Sequence, residues 1–392
     1  MLVVMPHCRR VRAFGLAGAQ NRGRARTNQA LALRPRGRSR RGKPEPMNAT
    51  NAMNTVPTDF PPLQLATLRD GSRDGQLALV DSAQRRCAPV PAIARTLQAA
   101  LDDWAGVAPR LARELQRLQE CGWSGGQPFD AARCMAPLPR AYQWADASCY
   151  RNHARLMYQW RKEPIPRRYE SEPLVYQGGS DVMLGPREPL VARDEAHNID
   201  LEAEIAVITT DVPMGTSAQD AVRHIALVVL LNDVSLRALI PPELARGFGF
   251  YQSKPATHFA PVAVTPAALG GAWRDATLHL PVTIHVNGEW FGAPNAGEEL
   301  VFHFGQVIAH LVQTRSLGAG SIVGAGTISN ADAASGNACI TEARVRASLA
   351  GTPDSELRPY LRDGDRVRIE VLDGRRSVFG AIDQVVQVRP AG

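Results

Sequence analysis

A mixed-β, α+β fold is predicted for this chain, and three observations predict it. The 392 residues include 33 Gly and 29 Pro, a turn-rich composition that favours strands and loops over a helical bundle. From Ala141 onward, short apolar runs alternate with Gly, Pro, Asn and Asp punctuation. Two segments carry hairpin signatures: Val282–Val286, then Asn287-Gly288, then Glu289-Trp-Phe291, and the terminal stretch around Asp373-Gly374.

Taken in order, the chain opens on a tail unlike its body. Residues 1–46 hold eleven Arg, one Lys and one acid, a net of +11, which leaves residues 47–392 at −4. The basic character therefore belongs to the tail, and the body has no charge reason to seek phosphate backbones, so no nucleic-acid partner is expected. The tail lacks a sustained apolar stripe. We read residues 1–60 as a basic disordered tail or sequence upstream of the true start (Met47 or Met53), in preference to a transit peptide, and expect residues 1–46 to be dispensable.

Residues 61–137 read as a small, β-rich N-terminal α+β domain. LQLATL and QLALVDS alternate around an Asp-Gly-rich turn. Residues 92–119 carry helical spacing, with Ile93, Leu97, Leu101 and Trp104 on one stripe and Leu111, Leu115 and Leu118 beyond Pro109, where the helix is expected to break. Residues 138–392 form the larger domain. Within it Phe304–Arg315 is predicted helical, with Val307, Ile308, Leu311 and Val312 buried and Gly318 ending it.

Several classes are excluded. The longest apolar run of the body, Ile225–Leu231, is far short of the ~20 residues of a membrane span, so no membrane partner is expected. Neither nucleotide-binding glycine loop is present. Six cysteines show no C-x-x-C and no metal-ligand spacing, as in a reducing compartment, and a cytoplasmic location is expected.

Chemistry concentrates in four places. In Ile199–Ile208, read as a strand, Glu202 and Glu204 share one face while Leu201, Ala203, Ile205 and Val207 share the other. Two like charges there are either solvent-facing or bridged by a hard cation such as Mg²⁺, Ca²⁺ or Mn²⁺. The apolar run from His224 to Leu231 ends in Asn232-Asp233, and Lys254 follows in an uncharged, aromatic-rich stretch. Asp146 and His153 lie seven residues apart, which on one helix is one face; they read either as an N-cap and a surface histidine or as site residues. Gly326-Thr327 closes an apolar Gly-rich segment where backbone can approach a ligand.

In this order the pieces resemble the fumarylacetoacetate hydrolase family. They match its Glu-x-Glu (Glu202, Glu204), its Asn-Asp followed by Arg (Asn232-Asp233, Arg237), its Lys (Lys254) and its Gly-Thr-Ile-Ser strand end (Gly326–Ser329). The Asp-to-His spacing (Asp146, His153) and a Tyr-x-Gly step (Tyr176-Gln-Gly178) resemble the longer members with an N-terminal domain, over residues 60–390. The resemblance implies a fumarylacetoacetase-like mixed β-roll, a homodimer, and hydrolysis of a C–C bond in a small-molecule β-diketo acid, fumarylacetoacetate or a related acylpyruvate. It implies Mg²⁺ or Ca²⁺, with Mn²⁺ as a third candidate, held by Asp146, Glu202, Glu204 and Asp233. His153, oriented by Glu342, would activate water; Arg237 and Lys254 would stabilise the enolate; Tyr176, Lys162 and Thr327 would bind substrate. The alternative on the same cage is a hydratase or decarboxylase of 2-oxo-enoic dicarboxylic acids. Departures cluster at the substrate positions: Ile240, Pro255-Ala256, His258 beside Thr257, Ser148, and Lys162 in place of an Arg.

Overall fold

The computed structural model describes residues 60–390, so the expectations for residues 1–59 lie outside the described residues. An eleven-stranded sheet forms its centre. Ten strands run in spatial order Gln127–Pro128, Arg86–Pro89, Gln76–Val80, Gln64–Leu68, Ala263–Val264, Ile225–Asn232, Ala203–Thr209, Ser321–Gly324, Gln143–Ala147 and Val175–Gly178, and His258–Phe259 pairs with Ile225–Asn232. Gln64 lies opposite Val264, so the N-terminal strands continue the same sheet.

The central strands are buried on both faces, which is why they read as near-continuous apolar runs. Ala203, Ile205 and Val207 enter one core, and Ala206 and Ile208 the other. A second, six-stranded sheet carries Val282–Val286, Glu289–Gly292, Arg366–Asp373 and Ile382–Val388. Its tight hairpin has positive φ at both Asn287 (57°) and Gly288 (82°), the type I′ pair that the Asn-Gly dipeptide predicts. At the terminal hairpin Asp373 pairs with Arg376, but that strand pairs over a greater length with Val282–Val286 on one side and Ile382–Val388 on the other.

Three boundaries differ from expectation. The N-terminal helical stretch breaks at Asp102-Asp103, giving Leu97–Leu101 and Trp104–Glu120 with Pro109 inside the second helix, because the Asp103 side chain accepts the Gly106 N–H and starts a new helix. The later helix ends at Leu311, since Gln313–Ser316 are exposed and offer no apolar face. The Ile199–Ile208 segment is two strands, Ile199–Asp200 and Ala203–Thr209, interrupted at Leu201-Glu202. Among the described residues no helix is long and apolar enough to cross a membrane.

Candidate active site

Register brings the acids together. Asp146 pairs with Gly324 on one side and Tyr176 on the other, Glu204 with Leu231, and Asn232 with Ala203, so one end of the sheet gathers Asp146, Glu204 and Asp233. All three are buried, and an oxygen of each lies within 4.8 Å of the others. Gly326 supports the arrangement: its N–H donates to Asp146 Oδ1 at 3.0 Å, and its φ of 83° with the Ala147 carbonyl pressed against it leaves no room for a Cβ.

Glu202 and Glu204 are 4 % and 0 % exposed, which removes the solvent-facing reading of this pair. Their charges are handled in different ways. Burial alone would raise Glu202, but the Arg237 and Lys254 cations outweigh it and hold the carboxyl well below the usual range. Arg237 donates to Glu202 Oε1 at 2.6 Å, and Lys254 Nζ to Glu202 Oε2 at 2.5 Å and Asp233 Oδ2 at 2.6 Å. Glu204 has no such partner. Burial, then repulsion from Asp146 and Asp233, pushes it far above the usual range, and burial with Asp233 does the same to Asp146. Glu204 Oε2 has no hydrogen-bond partner among the described residues.

A divalent cation fits this set. The donors are all carboxylate oxygens, the choice of hard ions. Mutual repulsion and the orphaned Glu204 oxygen are the penalties such an ion removes.

Beside the acids stands a dyad. His153 lies on the helix Arg151–Arg161, Glu342 on the helix Ile340–Leu349, and His153 Nδ1 is 2.6 Å from Glu342 Oε1. Glu342 is fully buried, whereas the His153 side chain keeps 18 % exposure. The shared helix face expected for Asp146 and His153 does not exist. Asp146 is on the strand Gln143–Ala147 and the helix starts only at Arg151, because Ala147 still pairs with Val175 across the sheet.

Other expected residues are placed less directly. Tyr176 donates its hydroxyl to Asp233, and Thr327 Oγ1 reaches Glu204 at 3.5 Å, so both face the acids in this structure. Lys162 is the left-handed C-cap of the His153 helix (φ 58°), is exposed, and makes no hydrogen bond to the acids. At the departure near position 258 it is Thr257 that donates to Asp233 (2.8 Å). His258 is buried against the Pro189 carbonyl, and burial pushes its pKa down to about 4.

Two residues were given no role from the sequence, Asp200 and the Asn232 of the Asn-Asp pair. Asp200, fully buried, accepts from Arg237 Nε (2.8 Å) and from the Ile340 and Thr341 N–H groups. Asn232 accepts the Glu202 N–H at 2.9 Å, pinning the interruption between the two short strands. The D-x-E-x-E run was a signal for Asp200, and the Asn of Asn-Asp for the second.

Comparison with known proteins gives the family. The family described as "Fumarylacetoacetate (FAA) hydrolase C-terminal" matches residues 143–387, and "Fumarylacetoacetase N-terminal domain 2" matches residues 63–140. The chain is 28% identical over 167 residues to 2,4-didehydro-3-deoxy-L-rhamnonate hydrolase of Sphingomonas sp. (strain SKA58), covering 42% of this chain and 54% of that one. It is 26% identical over 165 residues to the mitochondrial oxaloacetate tautomerase FAHD2B of Bos taurus, covering 42% and 49%. The chain thus spans about half the length of these curated relatives. Its fold is similar to that of maleylpyruvate hydrolase from Sphingobium sp. SYK-6, solved in complex with manganese(II) ion and pyruvate, with a TM-score of 0.56 and 16% identity over 84% of this chain and 100% of that one. With 143–387 matched and the acids, cations and dyad in one place, the chain belongs to the fumarylacetoacetate hydrolase family.

Proposed function

We propose that this protein is a metal-dependent hydrolase that cleaves a C–C bond of a β-diketo acid, fumarylacetoacetate or a related acylpyruvate, and that it works as a homodimer in the cytoplasm. The observation that carries the reading is the His153–Glu342 contact at 2.6 Å beside the buried acids. Hydrolysis needs a group that takes a proton from water, and this pair supplies one. Identity to the rhamnonate-derived hydrolase over part of the chain agrees with it.

Asp146, Glu202, Glu204 and Asp233 would hold Mg²⁺, Ca²⁺ or Mn²⁺, whose charge polarises the substrate's oxygens. With Nδ1 committed to Glu342, His153 Nε2 is free to take a proton from water. Hydroxide adds to the keto carbon, the adjacent C–C bond breaks, and its electron pair leaves on the enolate fragment. Arg237 and Lys254 put positive charge next to that fragment, and the proton held on His153 returns to it, so one water is consumed and an acid and a ketone are released. Tyr176 and Thr327, whose hydroxyls face Asp233 and Glu204, would bind substrate carboxylates beside the cage.

The reading is tested with a substrate panel of fumarylacetoacetate, acylpyruvates and oxaloacetate. C–C cleavage of a diketo acid is expected, and tautomerisation or decarboxylation alone would replace the hydrolase. Excess chelator should abolish turnover, and Mg²⁺ or Mn²⁺ should restore it and raise the melting temperature. This thermal gain should shrink as pH falls, because Asp146 and Glu204, pushed up by burial, must lose protons to bind the ion. Full turnover in chelator, with no metal in the purified protein, contradicts the cage. A sedimentation mass of one 42.5 kDa chain at micromolar concentration contradicts the dimer.

A further inference from the structure

The dyad has a third neighbour that the hydrolase reading leaves unused. Cys339 is fully buried and N-caps the helix Ile340–Leu349, its Sγ accepting the Glu342 N–H at 3.4 Å. A His153 ring nitrogen, Cys339 Sγ and a Glu342 carboxylate oxygen lie within 4.8 Å of one another. A second observation points to a ligand there: Glu342 Oε2 is buried with no hydrogen-bond partner among the described residues, on a side chain that is 0 % exposed. The partly exposed His153 ring gives solvent a way in.

We infer that His153, Cys339 and Glu342 form a second metal site, one for a thiophilic divalent cation of the Zn²⁺ type. The donors are one nitrogen, one sulfur and one oxygen, a set that Zn²⁺ accepts in tetrahedral geometry with a fourth position open to water. A neutral imidazole, a thiolate and a carboxylate balance the ion's two charges. The two sites sort ions by hardness. The oxygen cage suits Mg²⁺, Ca²⁺ or Mn²⁺, whereas the sulfur-bearing site favours Zn²⁺, which also binds nitrogen and sulfur donors more tightly than Mn²⁺ does. An ion seated here separates the ring from its carboxylate, so occupancy stops turnover; that consequence rests on the reading of His153 as the base.

Co²⁺, a coloured stand-in for Zn²⁺, is the probe, added to the full chain saturated with Mg²⁺. The expected result is an intense near-ultraviolet thiolate-to-cobalt absorption that Zn²⁺ displaces and that C339S abolishes. Serine is itself a favoured N-cap, which keeps the helix start intact. Should C339S fail to fold, H153Q reads the same site by a loss of Co²⁺ affinity with every thiol in place. No band, or a band that survives C339S and so belongs to another thiol such as the exposed Cys121, overturns the site. In parallel, Zn²⁺ should stop turnover of the parent and spare C339S. Inhibition that C339S does not relieve assigns the inhibiting Zn²⁺ to the acid cluster and overturns the claim that occupancy of the Cys339 site is what stops turnover. A Cys339-dependent band without inhibition upholds the site and counts against His153 as the base.

Discussion

Replacing His153 with Gln is expected to lower kcat on a β-diketo acid by about two to four orders of magnitude, with KM and metal content close to those of the parent. The glutamine amide can still donate to Glu342, so the buried carboxylate keeps a partner while the proton-accepting nitrogen is gone. His153→Ala should lose as much rate and, in addition, about 1–3 kcal/mol of stability, because Glu342, fully buried and with one oxygen already orphaned, is left without its 2.6 Å contact. Glu204→Gln behaves differently: metal is lost first and activity as a consequence, since Glu204 belongs to the acid cluster and not to the dyad. A His153→Gln enzyme with near-normal kcat would end the hydrolase mechanism and leave tautomerase, hydratase or decarboxylase chemistry on the same cage.

The parts of the site that sequence reasoning reached are those whose chemistry is local. Glu202, Glu204 and Asp233 were legible because acids break two strongly apolar segments, and the register of those two strands then sets them side by side. Asp146 and His153 were singled out by a seven-residue spacing read as one helix face, whereas they stand on a strand and the helix after it, because period alone does not separate a short strand end from a helix start. Glu342 lies 189 positions from His153, and only the family resemblance reached across that distance. Lys162 came from the family resemblance alone, and in the structure the helix ends there in a left-handed residue that is exposed to solvent. In the fold, strands with alternating or continuous apolar pattern were legible. The continuation of one sheet from Gln64–Leu68 into Ala263–Val264 was not, since strand pairing at a separation of some 200 residues leaves no local mark.

Asp200 shows what such long-range placement does for the site, and its removal is expected to be the most destabilising single change near it. The carboxylate is fully buried between two elements. Oδ1 accepts the Ile340 N–H at 2.7 Å; Oδ2 accepts the Thr341 N–H at 3.0 Å, the Thr341 hydroxyl at 2.7 Å and Arg237 Nε at 2.8 Å. One side chain thereby satisfies the open N–H groups at the start of the helix that carries Glu342 and fixes the guanidinium that holds Glu202. Asp200→Ala deletes the anion and leaves Arg237 half-paired in the interior, a change that costs on the order of 3–5 kcal/mol when one partner of a buried ion pair is removed. Urea unfolding should show a lowered midpoint at unchanged slope, the shift multiplied by the slope giving that loss. Asp200→Asn keeps the shape but turns an amide toward donors, so a smaller loss of stability is expected, together with a fall in kcat as Glu342 and Arg237 lose their common anchor. If Asp200→Ala unfolds within about 1 kcal/mol of the parent, the helix start and Arg237 are held by their other contacts, and Asp200 is not the residue that ties the dyad to the cage.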